Sequence, residues 1–147
     1  MNLETTEDRD RLVAAAREAC ASAHAPYSGI HVGVAIRSAT GATYTGTNVE
    51  NAAYPLGNCA EVSAIAAGVR AEGETFRIAE TAVWALDREG RAIAISPCGG
   101  CRQRIHEFAE NARTRIHFPW ENGELRTASV DELLPYAFEL PALSAAK

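Results

Sequence analysis

Two short cysteine motifs constrain this chain more than any other feature. Pro97-Cys98-Gly99-Gly100-Cys101 sets two thiols three residues apart at the expected start of a helix, so both face one way and can reach one ion. Alone, Cys-x-x-Cys fits a redox pair, half of a structural zinc site, or chance. Cys59-Ala60-Glu61, far upstream, also opens an expected helix, after a Gly57-Asn58 turn. It adds a third soft ligand and, two residues on, a carboxylate. A fold that joins the two motifs would give zinc three protein ligands and one open position, the catalytic pattern rather than the closed structural one. Such a position lowers the pKa of water from about 15.7 towards 7. Glu61 then stands where a proton carrier is needed.

The rest of the composition narrows the partners. The chain has 147 residues, of which 47% are hydrophobic, enough for one core and one domain over 1–147. Its net charge is −5 and its basic residues are scattered, so nothing is built to grip a phosphate backbone, and no nucleic-acid partner is expected. No apolar run approaches the roughly 20 residues that cross a bilayer, so no membrane partner is expected either. Met1 to Arg11 is polar and acidic, unlike a signal peptide. A cytoplasmic location with free thiols follows as an expectation.

Periodicity outlines the elements. Thr5 or Thr6 caps a first helix whose apolar face is Leu12, Val13, Ala16 and Cys20, and Pro26 stops it. Val32, Val34 and Ile36 alternate as a strand, Thr40-Gly41 turns, and residues 43–49 return as its hairpin partner. A helix is expected over 59–71 and a strand over 79–86. Asp87 to Gly90 then turns into another strand over 92–95. Pro97 opens a helix over 98–109, and 115–118 is the last clear strand. Asn122-Gly123 is a turn, and Ser129 with Glu132 forms a capping box. The order predicts an α/β fold, a three-layer α/β/α sandwich with a mixed, roughly five-stranded sheet.

The motifs together carry a family resemblance. The order His or Cys, x, Glu, then Pro-Cys-x-x-Cys is the signature of zinc deaminases. Asn48 to Tyr54, Cys59-Ala60-Glu61 and Pro97 to Gln103 resemble the small tetrameric cytidine deaminases. Ala25-Pro26-Tyr27-Ser28, Val32-Gly33 and Leu133 to Phe138 extend the likeness from Tyr27 to Phe138. The resemblance implies one zinc ion per subunit on Cys59, Cys98 and Cys101. It implies that Asn48 and Glu50 hold the ribose hydroxyls and that the backbone around Ala60 and Ser96 reads the pyrimidine edge. Glu61 would protonate ring N3 and pass a proton to departing ammonia. Phe138 would close a neighbouring subunit's site within a homotetramer. The reaction implied is hydrolytic deamination of cytidine or deoxycytidine to uridine or deoxyuridine, a pyrimidine salvage step.

Two positions depart from the resemblance. Arginine usually follows the catalytic glutamate; here it is Val62. Three thiolates and a hydroxide leave zinc with excess negative charge, so Arg102 and two helix N-termini are expected to offset it. Phenylalanine usually stacks on the base where this chain has Ile30, which packs without an aromatic face. His31 adjoins it and is read as within reach of the pocket. These departures make a modified cytosine nucleoside such as blasticidin S the alternative substrate. Plainer readings stand beside these. The cysteines could hold a structural zinc with His24, His31, His106 or His117 as fourth ligand, or serve a noncatalytic binding module. Cys20 reads as core, and Phe138 as core packing if it has no intersubunit role.

Overall fold

The computed structural model describes residues 6–141. Helix α1 (Thr6–Ala19) begins at Thr6, with Glu7 and Asp8 at its positive end; Thr5, the other cap expected from sequence, lies outside the described residues. Strands β1 (His31–Ser38) and β2 (Thr43–Thr47) form the expected hairpin. Then follow α2 (Ala60–Glu72), β3 (Ile78–Leu86), α3 (Gly99–Phe108), β4 (Arg115–Pro119), β5 (Leu125–Ser129) and α4 (Val130–Leu133). The sheet order is β2-β1-β3-β4-β5. Only β3 and β4 run parallel, joined by the crossover that contains α3; the other pairs are antiparallel.

Alternation along the strands sorts side chains to two faces. Ala35 and Ala82 meet Leu12 and Ala16 of α1 on one. Val34, Ile36, Val83, Ile116 and Phe118 meet Ala64 and Ile65 of α2 and Ile105 of α3 on the other. The layers are therefore helix, sheet, helices. Each wholly buried Ile, Val or Phe contributes about 1.5–3 kcal/mol. Two glycines bring the helices close. A side chain on Gly33 would lie 2.0 Å from the Ala16 carbonyl oxygen, and one on Gly46 would lie 2.3 Å from the Ala64 nitrogen. Cys20 is 1% exposed and serves as core.

The sheet has the expected five strands, but one is exchanged. Residues 92–95, expected as a strand, form none. β4 parts from β3 after Ala82 and His117, and 92–95 drops into the gap. It makes one bond to each flank, Ile93 N to Ala85 O at 3.1 Å and Ile95 N to Pro119 O at 3.0 Å, too few for a ladder. The fifth strand is β5, an exposed-edge partner of β4. The Ser129–Glu132 capping box starts α4 as expected.

One polar cluster is buried on the α1 side of the sheet. Glu80, 0% exposed, bonds His117 Nε2 at 2.6 Å and Arg115 at 3.2 Å, and pairs with Arg37. His117 Nδ1 lies 2.7 Å from Thr127 Oγ1. Compensation on this scale is what lets a carboxylate be fully buried.

Candidate active site

The gap between β3 and β4 and the starts of α2 and α3 converge on one cavity of about 370 Å³. Ligand sites on α/β sheets form in such crevices beyond the ends of parallel strands. An antiparallel bridge between Val49 and Asn58 sets the turn before α2, so that Cys59 becomes the residue capping that helix. Cys98 caps α3 in the same way, and Cys101 lies in its first turn. The three sulfurs all lie within 4.8 Å of one another. Among the described residues no histidine joins them, so the structural site with a histidine ligand finds no support. Cys101 is buried, while Cys59 and Cys98 are exposed, which leaves the cluster open towards the cavity.

The thiols fit a divalent cation. Burial, then the charges of Glu61 and Cys59, push the Cys101 thiol well above its usual range. Burial also raises Cys59, with the Glu61 and Cys98 charges adding to it. Cys98 goes the other way. Burial opposes its ionisation, but hydrogen bonds from the Cys101 and Gly100 backbone and the Cys101 thiol outweigh it. Three sulfurs this close resist ionising together, and zinc with thiolate ligands relieves that conflict. Two helix N-termini add positive potential.

Glu61 is 4% exposed on the first turn of α2 and lines the same cavity. Burial raises its carboxyl above the usual range. Its own backbone N–H, a hydrogen bond from Cys101 and the charge of Arg104 pull it partly back. A carboxyl raised by burial can hold and release a proton nearer neutral pH.

Asn48 and Glu50 stand just past the end of β2 and line the cavity with Ile30, Ala60 and Ser96. Asn48 donates Nδ2 to the Ile30 carbonyl at 2.9 Å and accepts from Val32 N at 2.8 Å. Glu50 accepts from Tyr27 N at 2.9 Å, from Ser28 N at 3.2 Å and from the Ser28 hydroxyl. The Ser28 hydroxyl, foremost among these donors, holds its carboxyl below the usual range against a smaller effect of burial. It therefore stays an acceptor.

Other expected positions fall elsewhere. Arg102 donates to Pro97 O at 2.8 Å, Leu133 O at 3.2 Å and Ser96 Oγ at 3.1 Å, so its guanidinium braces the 96–97 segment. Phe138 does not line its own chain's cavity. It is 68% exposed, which removes the core-packing reading, and its backbone is clamped by Gln103 at 2.9 and 3.1 Å. His31 lines a separate cleft between α1 and the end of β3, because strand alternation turns it away from the face of Ile30 and Val32. The sequence reading missed Tyr54, Ser28 and Arg104. The Arg104 guanidinium makes no side-chain hydrogen bond or ion pair among the described residues, and its charge acts on Glu61. It reaches back over Gly100, where a side chain would begin 3.1 Å from its Nη1.

The family model for the cytidine and deoxycytidylate deaminase zinc-binding region matches residues 6–116. The chain belongs to this deaminase family. It is 36% identical to the cytidine deaminase of Sporosarcina psychrophila over 137 residues, covering 93% of this chain and 96% of that one. The cytidine deaminase of Halalkalibacterium halodurans is also 36% identical, over 89% of this chain and 94% of its own. Among solved structures, the cytidine deaminase of Burkholderia pseudomallei superposes with a TM-score of 0.75 at 35% identity, covering 88% of this chain and 98% of that one. The cysteine cluster lies within the matched zinc-binding region, residues 6–116, and its three close sulfurs are consistent with a zinc site.

Proposed function

We propose that this chain is an enzyme that hydrolytically deaminates cytidine or deoxycytidine, giving uridine or deoxyuridine and ammonia. The observation that carries this reading is the meeting of Cys59, Cys98, Cys101 and buried Glu61 in one cavity that also presents Asn48 and Glu50. The relatives described above are cytidine deaminases, which favours a plain nucleoside over a modified one such as blasticidin S.

Each residue has a role. Cys59, Cys98 and Cys101 would hold one zinc ion per subunit, which when bound would supply Lewis-acid activation of water. Glu61 takes the proton from the attacking water, delivers it to ring N3, and then moves a second proton to the amine as it leaves. Backbone groups around Ala60 and Ser96 orient the pyrimidine edge, and Ile30 forms an apolar wall for the ring. Asn48 and Glu50 hold the sugar hydroxyls, and the ionised state of Glu50 suits an acceptor. Arg102 keeps the Ser96–Pro97 segment in place, so it supports the site by position as well as by charge.

Residues 1–147 form a single catalytic domain in this reading, and four copies assemble. The support is the exposure of several large apolar side chains, Tyr54 and Leu56 before α2 and Tyr136 and Phe138 after α4, which a contact with another copy would cover. Phe138 then closes a neighbour's cavity. The scattered basic residues favour a free nucleoside over a polynucleotide. Among the described residues no helix is long and apolar enough to cross a membrane. The free thiols suit a reducing compartment, the cytoplasm, where the reaction would serve pyrimidine salvage. The test is an ultraviolet absorbance screen over cytidine, deoxycytidine, blasticidin S and free cytosine. Turnover of cytidine or deoxycytidine and its loss on chelation are expected. Turnover of none of the four would overturn the reading.

A further inference from the structure

The loop over residues 26–30 roofs the cavity beside Glu50, and it is held from two sides. From within, Glu50 takes the Tyr27 and Ser28 N–H groups and the Ser28 hydroxyl. Ser28 Oγ in turn accepts from Ile30 N at 3.0 Å. From outside, Arg88 of the Asp87–Gly90 turn donates Nη2 to the Tyr27 carbonyl at 3.1 Å. Its stem occupies the space a side chain on residue 29 would need. A Cβ on Gly29 would lie 2.0 Å from Arg88 Nε and 2.3 Å from its Cγ, and φ of +71° there also demands glycine. The turn is itself fixed, since Asp87 accepts from Glu89 N at 3.0 Å, Arg91 N at 2.8 Å and Arg91 Nε at 2.7 Å.

The Tyr27 carbonyl and the Ser28 N–H belong to one trans peptide plane, so they point in opposite directions. Arg88 holds one end of that plane and Glu50 the other. We propose that Arg88 is a positioning residue for the nucleoside. It sets the angle of the Tyr27–Ser28 peptide, and through it the direction in which Glu50 presents its remaining acceptor site to the sugar. An ionised carboxylate accepts about four hydrogen bonds; the loop uses three, leaving one for a sugar hydroxyl. This inference rests on the reading that Glu50 holds the sugar. Without Arg88 the peptide is held from the Glu50 side alone, its angle loosens, the Ser28 N–H bond to Glu50 weakens, and sugar binding weakens with it. Glu61 and the cysteines, on other elements, are untouched.

The test uses Arg88→Met, which keeps the stem against Gly29 and loses the donor, Arg88→Lys, which keeps a donor, and Glu50→Gln as control. Readouts are KM and kcat for cytidine and 2′,3′-dideoxycytidine, and calorimetric binding of uridine. Arg88→Met should raise the cytidine KM and the uridine Kd about three- to tenfold, the scale of one lost hydrogen bond to a charged donor that is partly in water. Its kcat and its dideoxycytidine KM should not change, and Arg88→Lys should recover part of the loss. If Glu50→Gln raises KM and Arg88→Met does not, the role of Arg88 is overturned while the sugar reading stands. An equal effect of Arg88→Met on both nucleosides, or a fall in kcat alone, also overturns it. If Glu50→Gln leaves KM and Kd unchanged, the sugar reading itself fails.

Discussion

Two glutamates are buried on opposite sides of this sheet, and they are treated in opposite ways. Glu80 is 0% exposed and is met by Arg37, Arg115 and His117. Glu61 is 4% exposed, and burial outweighs what its own backbone N–H, a hydrogen bond from Cys101 and the charge of Arg104 give back. Burial of the first is compensated and serves the fold. Burial of the second is only partly offset, which lifts its carboxyl and suits it to the proton-carrying role proposed for it. The same residue type at nearly the same depth is braced or perturbed according to which groups the neighbouring elements bring to it.

Three substitutions would break or sharpen that contrast. Cys101→Ser should have the largest effect, abolishing zinc retention and cytidine turnover together, checked by metal analysis and absorbance assay. Full zinc retention by this variant would remove the three-thiol site. Glu80→Gln should lower stability by about 1–3 kcal/mol, because it leaves half-buried Arg37 and part-exposed Arg115 without their carboxylate and His117 with a weaker partner. Denaturant unfolding measures this, and the folded fraction should keep a kcat close to that of the parent. The smallest effect concerns Glu72, a third kind of acid, whose carboxyl is held below its usual range chiefly by the Ser38 hydroxyl and further by Thr40 and Tyr44. A depressed folded-state pKa gives stability that is present above the unfolded value and lost as pH falls through the folded one. Glu72→Gln should therefore destabilise modestly at pH 7 and less at pH 3, read from unfolding midpoints at the two values.

The site was more legible in the sequence than the sheet around it. Cys59, Cys98, Cys101 and Glu61 announce themselves because metal chemistry restricts residue type and spacing, and the structure brings them together. Asn48, Glu50, Ala60, Ser96 and Ile30 line the same cavity. β5 leaves no signal in the sequence because an edge strand with one wet face shows little apolar alternation. Residues 92–95 look like a strand because Ile93 and Ile95 alternate, yet the splay of β3 from β4 leaves them no ladder to join. The Glu80 cluster was invisible, since its four members are scattered over three strands and only strand register unites them. In the sequence Arg88 is one residue of a turn, because a hydrogen bond to a carbonyl sixty-one positions away leaves no local pattern.

The most direct test of the account is Glu61→Gln, assayed for zinc content, stability and cytidine turnover on one preparation. The account predicts one zinc per subunit, an unfolding midpoint no lower than the parent's, and turnover reduced by at least about 10²- to 10⁴-fold. Parent-like turnover in a zinc-loaded Glu61→Gln protein would contradict it.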